Sequence, residues 1–164
     1  MNRTPAHYAS PMFAKRVKPV LRLDPGPPVV DDAEVASAMA RLADAFVAGA
    51  AVDGPGLSYA LEDAYALDAL VDRYLATLPG YDARRGYAFS LGAYLGELTV
   101  RAFGGHWTRD QVTGQPGVLL PSGRMSLPME ETAHRLEVGM SRGLAIFFEG
   151  CAEEPRVARH ATAV

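Results

Sequence analysis

The stretch from Ala83 to Phe103 limits the possible folds of this chain more than any other. Ala88, Leu91, Leu95 and Leu98 recur along one stripe at helical spacing, and Gly104-Gly105 supplies a left-handed stop, so the segment reads as one long, largely apolar helix. Ala88, Gly92 and Gly96 fall four residues apart on it. Glycine inside a helix costs about 1 kcal/mol relative to alanine, so two of them on one smooth side point to a neighbouring backbone that approaches closely enough to repay the loss. A helix of this kind belongs in the middle of a fold.

The flanking sequence supplies what packs on it. Asp31 with Glu34 has the spacing of a capping box, and Val35, Met39, Leu42 and Phe46 mark a first helix ending at Gly49 or Gly54. Leu57-Ser58-Tyr59 alternates like a short extended piece. A second helix follows from about Glu62, with Leu67, Val71, Tyr74 and Leu78 on its apolar stripe and Pro79-Gly80 as its stop. Beyond Gly105 the period changes. Val118 to Leu120 and Met125 with Leu127 flank Pro121-Ser122-Gly123-Arg124, a hairpin signal, and His106 to Thr108 is expected to add a third strand. Pro128 suits the first turn of a fourth helix, with Met129, Ala133, Leu136 and Met140 buried and Gly139 or Gly143 closing it. Periodicity leaves Leu144 to Phe148 open between strand and helix; Ser141 as a cap and Gly150 as a stop favour a short helix. The fold class is therefore α+β: a three-helix N-terminal half packed on a small antiparallel hairpin sheet, closed by one or two C-terminal helices.

Six prolines between Pro5 and Pro28 disfavour helix or central strand in residues 1–30, which read as an extended arm ahead of a single domain over 31–151 and a flexible tail over 152–164. Charge divides at the same place. Residues 1–23 hold Arg3, Lys15, Arg16, Lys18 and Arg22 and no acid, whereas from Asp24 onward 11 arginines face 19 carboxylates. An acidic body offers no basic face to displace counterions from phosphates, which argues against nucleic acid as partner. No apolar run approaches the length of a membrane span or a secretion signal, and Cys151 is the only cysteine, so no internal disulfide forms; the chain reads as cytoplasmic.

Chemistry-bearing motifs are few. Glu97 and Arg101 sit four apart as an ion pair, and Glu97 with His106 is the one combination suited to acid/base catalysis. Glu130, Glu131 and His134 share one stretch of helix, but two ligands on a face make no zinc centre and His7 and His160 fall in the arm and the tail, so no metal site and no cofactor are expected. Gly114-Gln115-Pro116-Gly117 lacks the lysine and setting of a phosphate-binding loop, Ser122 lacks a nucleophile elbow, and Cys151 has no base beside it. Tyr81, Tyr87, Phe89 and Tyr94 cluster on the third helix near Arg84, Arg85 and Arg109, a combination common where proteins anchor one another. Tyr94, Glu97, Arg101, Trp107 and Arg109 are accordingly the candidate binding residues.

The run Ser90-Leu91-Gly92-Ala93-Tyr94-Leu95-Gly96-Glu97, then Arg101, Gly104-Gly105 and Trp107, an apolar hairpin, and a helix ending His134-Arg135-Leu136-Glu137-Val138-Gly139, resembles a group of uncharacterised bacterial domains of unknown function. Leu57-Ser58-Tyr59 and Leu61-Glu62 fit the same pattern, so the resemblance spans about residues 57–150 and excludes the arm. It implies a helical α+β fold and no activity. The abundance of alanine and the excess of arginine over lysine suit a GC-rich bacterium. Two functions are therefore carried forward: a non-enzymatic protein-interaction module, either an adaptor or an immunity-type inhibitor, and, as the alternative, a small metal-independent enzyme using Glu97 and His106.

Overall fold

A computed structural model describes residues 31–53, 56–139 and 143–152. The basic arm, Gly54, Met140, Ser141 and the tail beyond Ala152 lie outside the described residues. Three helices come first, α1 (Asp32–Asp53), α2 (Asp63–Ala76) and α3 (Tyr81–Phe103). A three-stranded antiparallel sheet follows, β1 (His106–Arg109), β2 (Pro116–Leu119) and β3 (Met125–Ser126), and then α4 (Pro128–Val138) and α5 (Leu144–Ala152). The architecture is the α+β arrangement expected from the periodicities.

The long helix is central. Leu91, Gly92, Ala93, Tyr94, Leu95 and Gly96 are all buried, and α3 packs along both α1 and α4. A Cβ on Gly92 would stand 2.9 Å from the Met129 Cα of α4, and the Thr132 hydroxyl donates to the Ala88 carbonyl at 2.8 Å. The smooth side of α3 thus seats α4 at one end and Trp107 at the other, where a Cβ on Gly96 would lie 2.2 Å from the indole Cη2. Backbone approach also explains Gly105: with φ +94° and its Cβ position 2.3 Å from the Leu119 carbonyl oxygen, only glycine lets the chain turn from α3 into β1.

Local signals set the remaining boundaries. The Asp31 carboxylate accepts the Glu34 amide at 2.8 Å, the expected cap of α1, which runs through Gly49. The β2–β3 turn falls at Leu120 to Arg124, where the Leu120 amide donates to the Arg124 carbonyl. Three expectations need correction. Leu57 to Tyr59 forms no strand: Tyr59 takes a left-handed φ of 62° and the segment is held by hydrogen bonds to Asp63. Leu78 is not a core residue of α2; the helix ends at Ala76 and Leu78 is 89% exposed. Gly150 does not stop the last helix, which runs on to Ala152 and buries Leu144, Phe148 and Cys151.

A second connection was not visible in any local pattern. Arg135 on α4 is buried, its Nε donating to Asp68 at 2.9 Å and its Nη2 to Asp72 at 2.7 Å, both carboxylates lying on α2. Asp68 also accepts the amides of Leu144 and Ala145 at 3.1 and 3.3 Å, capping α5. One arginine and one aspartate therefore tie α2, α4 and α5 together. Burial alone would lower the Arg135 pKa, but the bonds to Asp72 and Asp68 raise it, so the guanidinium keeps its charge.

Candidate functional site

Four of the five candidate residues meet in one network at the C-terminal half of α3. The Trp107 indole donates to Glu97 at 2.7 Å, and Arg101 lies 3.8 Å from the other Glu97 oxygen. The Arg101 guanidinium sits 3.5 Å over the Tyr59 ring, which in turn stacks on Tyr94 at 4.8 Å. The Tyr59 hydroxyl donates to Asp44 of α1 at 2.8 Å, and the Tyr94 hydroxyl donates to Asp63 at 2.7 Å while accepting the Tyr59 amide. Arg109 stands apart, donating to the Gly114 carbonyl across the β1–β2 loop.

This network is a clamp. Tyr94 and Trp107 are sealed in the core, 0% and 3% exposed, so neither presents a face to a partner. Glu97 is engaged by Trp107 and Arg101. His106 is exposed on β1, paired in register with Leu119, and alternation along the strand turns it to the side opposite Trp107 and hence away from Glu97. The acid/base pair is not assembled: no hydrogen bond joins Glu97 and His106. Among the described residues no group of three His, Cys, Asp or Glu side chains is placed to hold a metal, and no helix is long and apolar enough to cross a membrane.

What the clamp does is fix the loop before α2. Asp63 accepts the amides of Ser58 and Ala60 as well as the Tyr94 hydroxyl. Burial alone would lift the Asp63 pKa, but the Tyr94 hydroxyl and these amides reverse that and hold the carboxyl below its ordinary value. A depressed carboxyl stabilises the fold fully above its unfolded pKa, and that contribution is lost as pH falls through the folded value. Tyr94→Phe is therefore expected to cost about 1–2 kcal/mol at pH 7. The gap from the parent chain should narrow in urea titrations near pH 3. An equal gap at both pH values would show that Asp63 is not the partner that matters.

No family model, curated protein or solved structure matches the chain. Function must be read from the geometry itself.

The concavity lies at the other end of α3. Its N-terminal half forms the floor of a groove of about 750 Å³, walled by Ala45, Phe46, Gly49 and Ala50 of α1 and by Leu70, Arg73 and Tyr74 of α2 with Thr77 at its C-cap. The groove exists because α2 reaches α3 through side chains instead of the close backbone packing it has with α5: Tyr74 stacks on Tyr87 of α3 at 3.9 Å with the rings 6° from parallel. Phe46 touches Tyr87 edge-on at 5.5 Å and Tyr94 at 5.8 Å, so the clamp sets the position of one groove wall.

Small residues keep the groove open. Gly49 and Gly86 both line it, and a Cβ on either would meet nothing within 4 Å, in contrast to Gly92 and Gly96. Its chemistry is apolar with cationic edges. Arg73 lines it and acts on the Tyr87 phenol, Arg84 acts on the Tyr74 phenol, and among the described residues neither arginine is paired with a carboxylate. The Arg84 Nε is buried with no hydrogen-bond partner. Burial pushes the Tyr87 phenol up to about 12 and raises Tyr74 too, so both stay neutral hydroxyls in neutral solution. Leu78 and Tyr81, 89% and 46% exposed, extend the apolar surface along the turn between α2 and α3.

Tyr94, Glu97, Arg101 and Trp107 of the clamp are legible in the sequence, whereas Asp44, Asp63 and the groove are not. Arg73, Gly49 and Gly86 carry no local motif; the available signal was that Gly49 and Gly86 sit inside helices without belonging to the Ala88-Gly92-Gly96 stripe.

Proposed function

We propose that this chain is a non-catalytic protein-interaction module of the adaptor or inhibitor type, and that the groove between α1, α2 and α3 receives its partner. The observation that carries this reading is the open apolar concavity lined by Tyr87 and Tyr74 and kept clear by Gly49 and Gly86, two glycines with no packing role. A helix glycine that fills no contact costs about 1 kcal/mol, which a binding requirement explains and folding does not. Aromatic side chains with arginine at the edge are the residue types that dominate protein anchoring. The clamp supports the same reading, because it holds Tyr59, Tyr94 and Phe46 rigid and leaves no reactive group free.

The test is a photo-crosslinker, p-benzoylphenylalanine, placed at Gly86 in the full chain in its native host, with the exposed Glu130 of α4 as the control position. The expected result is an adduct at position 86 that mass spectrometry maps to one contiguous segment of one protein and that Tyr74→Ala abolishes. Absence of adducts at 86, or the same set of adducts from 86 and 130, would remove the proposal.

A further inference from the structure

We infer that the groove accepts an α-helical segment of the partner bearing acidic residues beside its apolar face. This rests on the reading of the groove as the docking surface and adds the chemistry of its occupant.

Shape gives the helix. Strand addition needs an exposed strand edge, but this groove is walled by three helices whose backbone groups are already bonded within themselves. Polyproline recognition uses splayed aromatic faces, whereas Tyr74 and Tyr87 spend their inner faces on each other. The remaining common mode is a helix laid into a groove. The molecule contains a working example on the same element. Ala88, Gly92 and Gly96 of α3 let α4 approach until Met129 Cα stands 2.9 Å from a Gly92 Cβ position. At 100° per residue, Ala83, Gly86 and Ser90 occupy the face about 150° around from that stripe. They are the floor of the groove. One small-residue face of α3 is filled by a helix and the other is open, with Gly49 and Ala50 of α1 equally low beside it.

Charge gives the acid. Among the described residues Arg73 is the only charged one lining the groove, Arg84 follows the lining Ala83, and no carboxylate neutralises either. An incoming Glu or Asp at the edge of a helix would meet the exposed Arg73 guanidinium and the half-buried Arg84, whose Nε is an unused donor. The chain's own N-terminal arm has the wrong sign, with five basic residues and no acid before Asp24.

The experiment uses the full chain and a fluorescein-labelled synthetic peptide of about 14 residues, helical, with Leu at i, i+3 and i+7 and Glu along both flanks of that stripe. Its twin carries Lys in place of Glu, and decanoate serves as a small-anion competitor. The acidic peptide is expected to bind at least tenfold more tightly than its twin by fluorescence anisotropy. The double variant Arg73→Glu with Arg84→Glu should reverse that preference, and Gly86→Phe should abolish binding of both. Equal affinity for the two peptides, a preference that survives charge reversal, no binding of either, or displacement by decanoate at stoichiometric amounts would overturn the inference. So would a crosslink from position 86 that maps to residues 1–30 of the chain itself. A crosslinked partner segment that is basic or non-helical removes this inference while leaving the docking surface in place; no crosslink at all removes both.

Discussion

Gly96→Ala is expected to destabilise the fold by about 2–4 kcal/mol, although alanine is the better helix former by about 1 kcal/mol. The added Cβ would stand 2.2 Å from the Trp107 Cη2, 2.3 Å from its Cζ2 and 3.1 Å from the Pro128 Cγ. The indole has nowhere to retreat: its strand is held in register against Val118, and its Nε1 is bonded to Glu97 at 2.7 Å. Alanine must therefore push the ring out of a site where it is 3% exposed, breaking the Glu97 bond and opening the junction between α3 and the sheet. Trp107 is the only tryptophan in the chain, so its emission reports the displacement directly. A red shift accompanied by a lower urea midpoint is the expected pair of signals. Placing Trp107→Leu in the Gly96→Ala background should recover at least 1 kcal/mol relative to additivity, because residues in contact couple on that scale. Additive losses would mean that the two positions do not compete for the same space.

Arg135→Ala is expected to cost about 3 kcal/mol, the low end of the range for removing one partner of a buried ion pair, because the arginine is buried while its aspartates are only partly so. The guanidinium is 1% exposed and bridges two aspartates one helical turn apart on α2. Its removal leaves a cavity between α2 and α4 and strips Asp68 of the cation that offsets its burial, while Asp68 must still cap α5. Lysine should not rescue it. A single ammonium cannot direct separate donors at Asp68 and Asp72 as Nε and Nη2 do. Methionine should be better tolerated than alanine, since it fills the volume and leaves two carboxylates that are 26% and 50% exposed and retain contact with water. Urea unfolding of the three variants checks the order Met, then Lys or Ala. A loss for Arg135→Ala within 1 kcal/mol would show that the triad does not hold the helices together.

What the chain revealed on its own was whatever depends on short-range spacing. The Asp31 cap, the Pro128 helix start, the Pro121 to Arg124 turn and the smooth side of α3 are all encoded within a few residues, and all take the form that spacing implies. Interactions that join distant segments were not legible. Arg135 meets Asp68 and Asp72 across more than sixty residues, and nothing in either helix marks the other. Tyr59 read as one beat of a strand because its role as a left-handed residue under Arg101 depends on Tyr94, Asp44 and Asp63 from three other elements. The candidate residues were legible but their part was not: a buried tyrosine and tryptophan beside a glutamate look the same in sequence whether they line a cleft or lock a core. The groove escaped for the opposite reason. Its defining feature is space, and a glycine that makes room leaves the same letter as a glycine that is crowded.

That distinction between crowded and open glycines on one helix is also the point most directly measured. Gly86→Ala and Gly96→Ala make the same chemical change on α3, so their unfolding free energies in urea at neutral pH isolate the surroundings. With nothing within 4 Å of its Cβ, Gly86→Ala is expected to stabilise the fold by about 0.4–1 kcal/mol through helix propensity, while Gly96→Ala destabilises it. A loss of stability at both positions would mean that the groove face of α3 is packed like the other, leaving no open site for a partner.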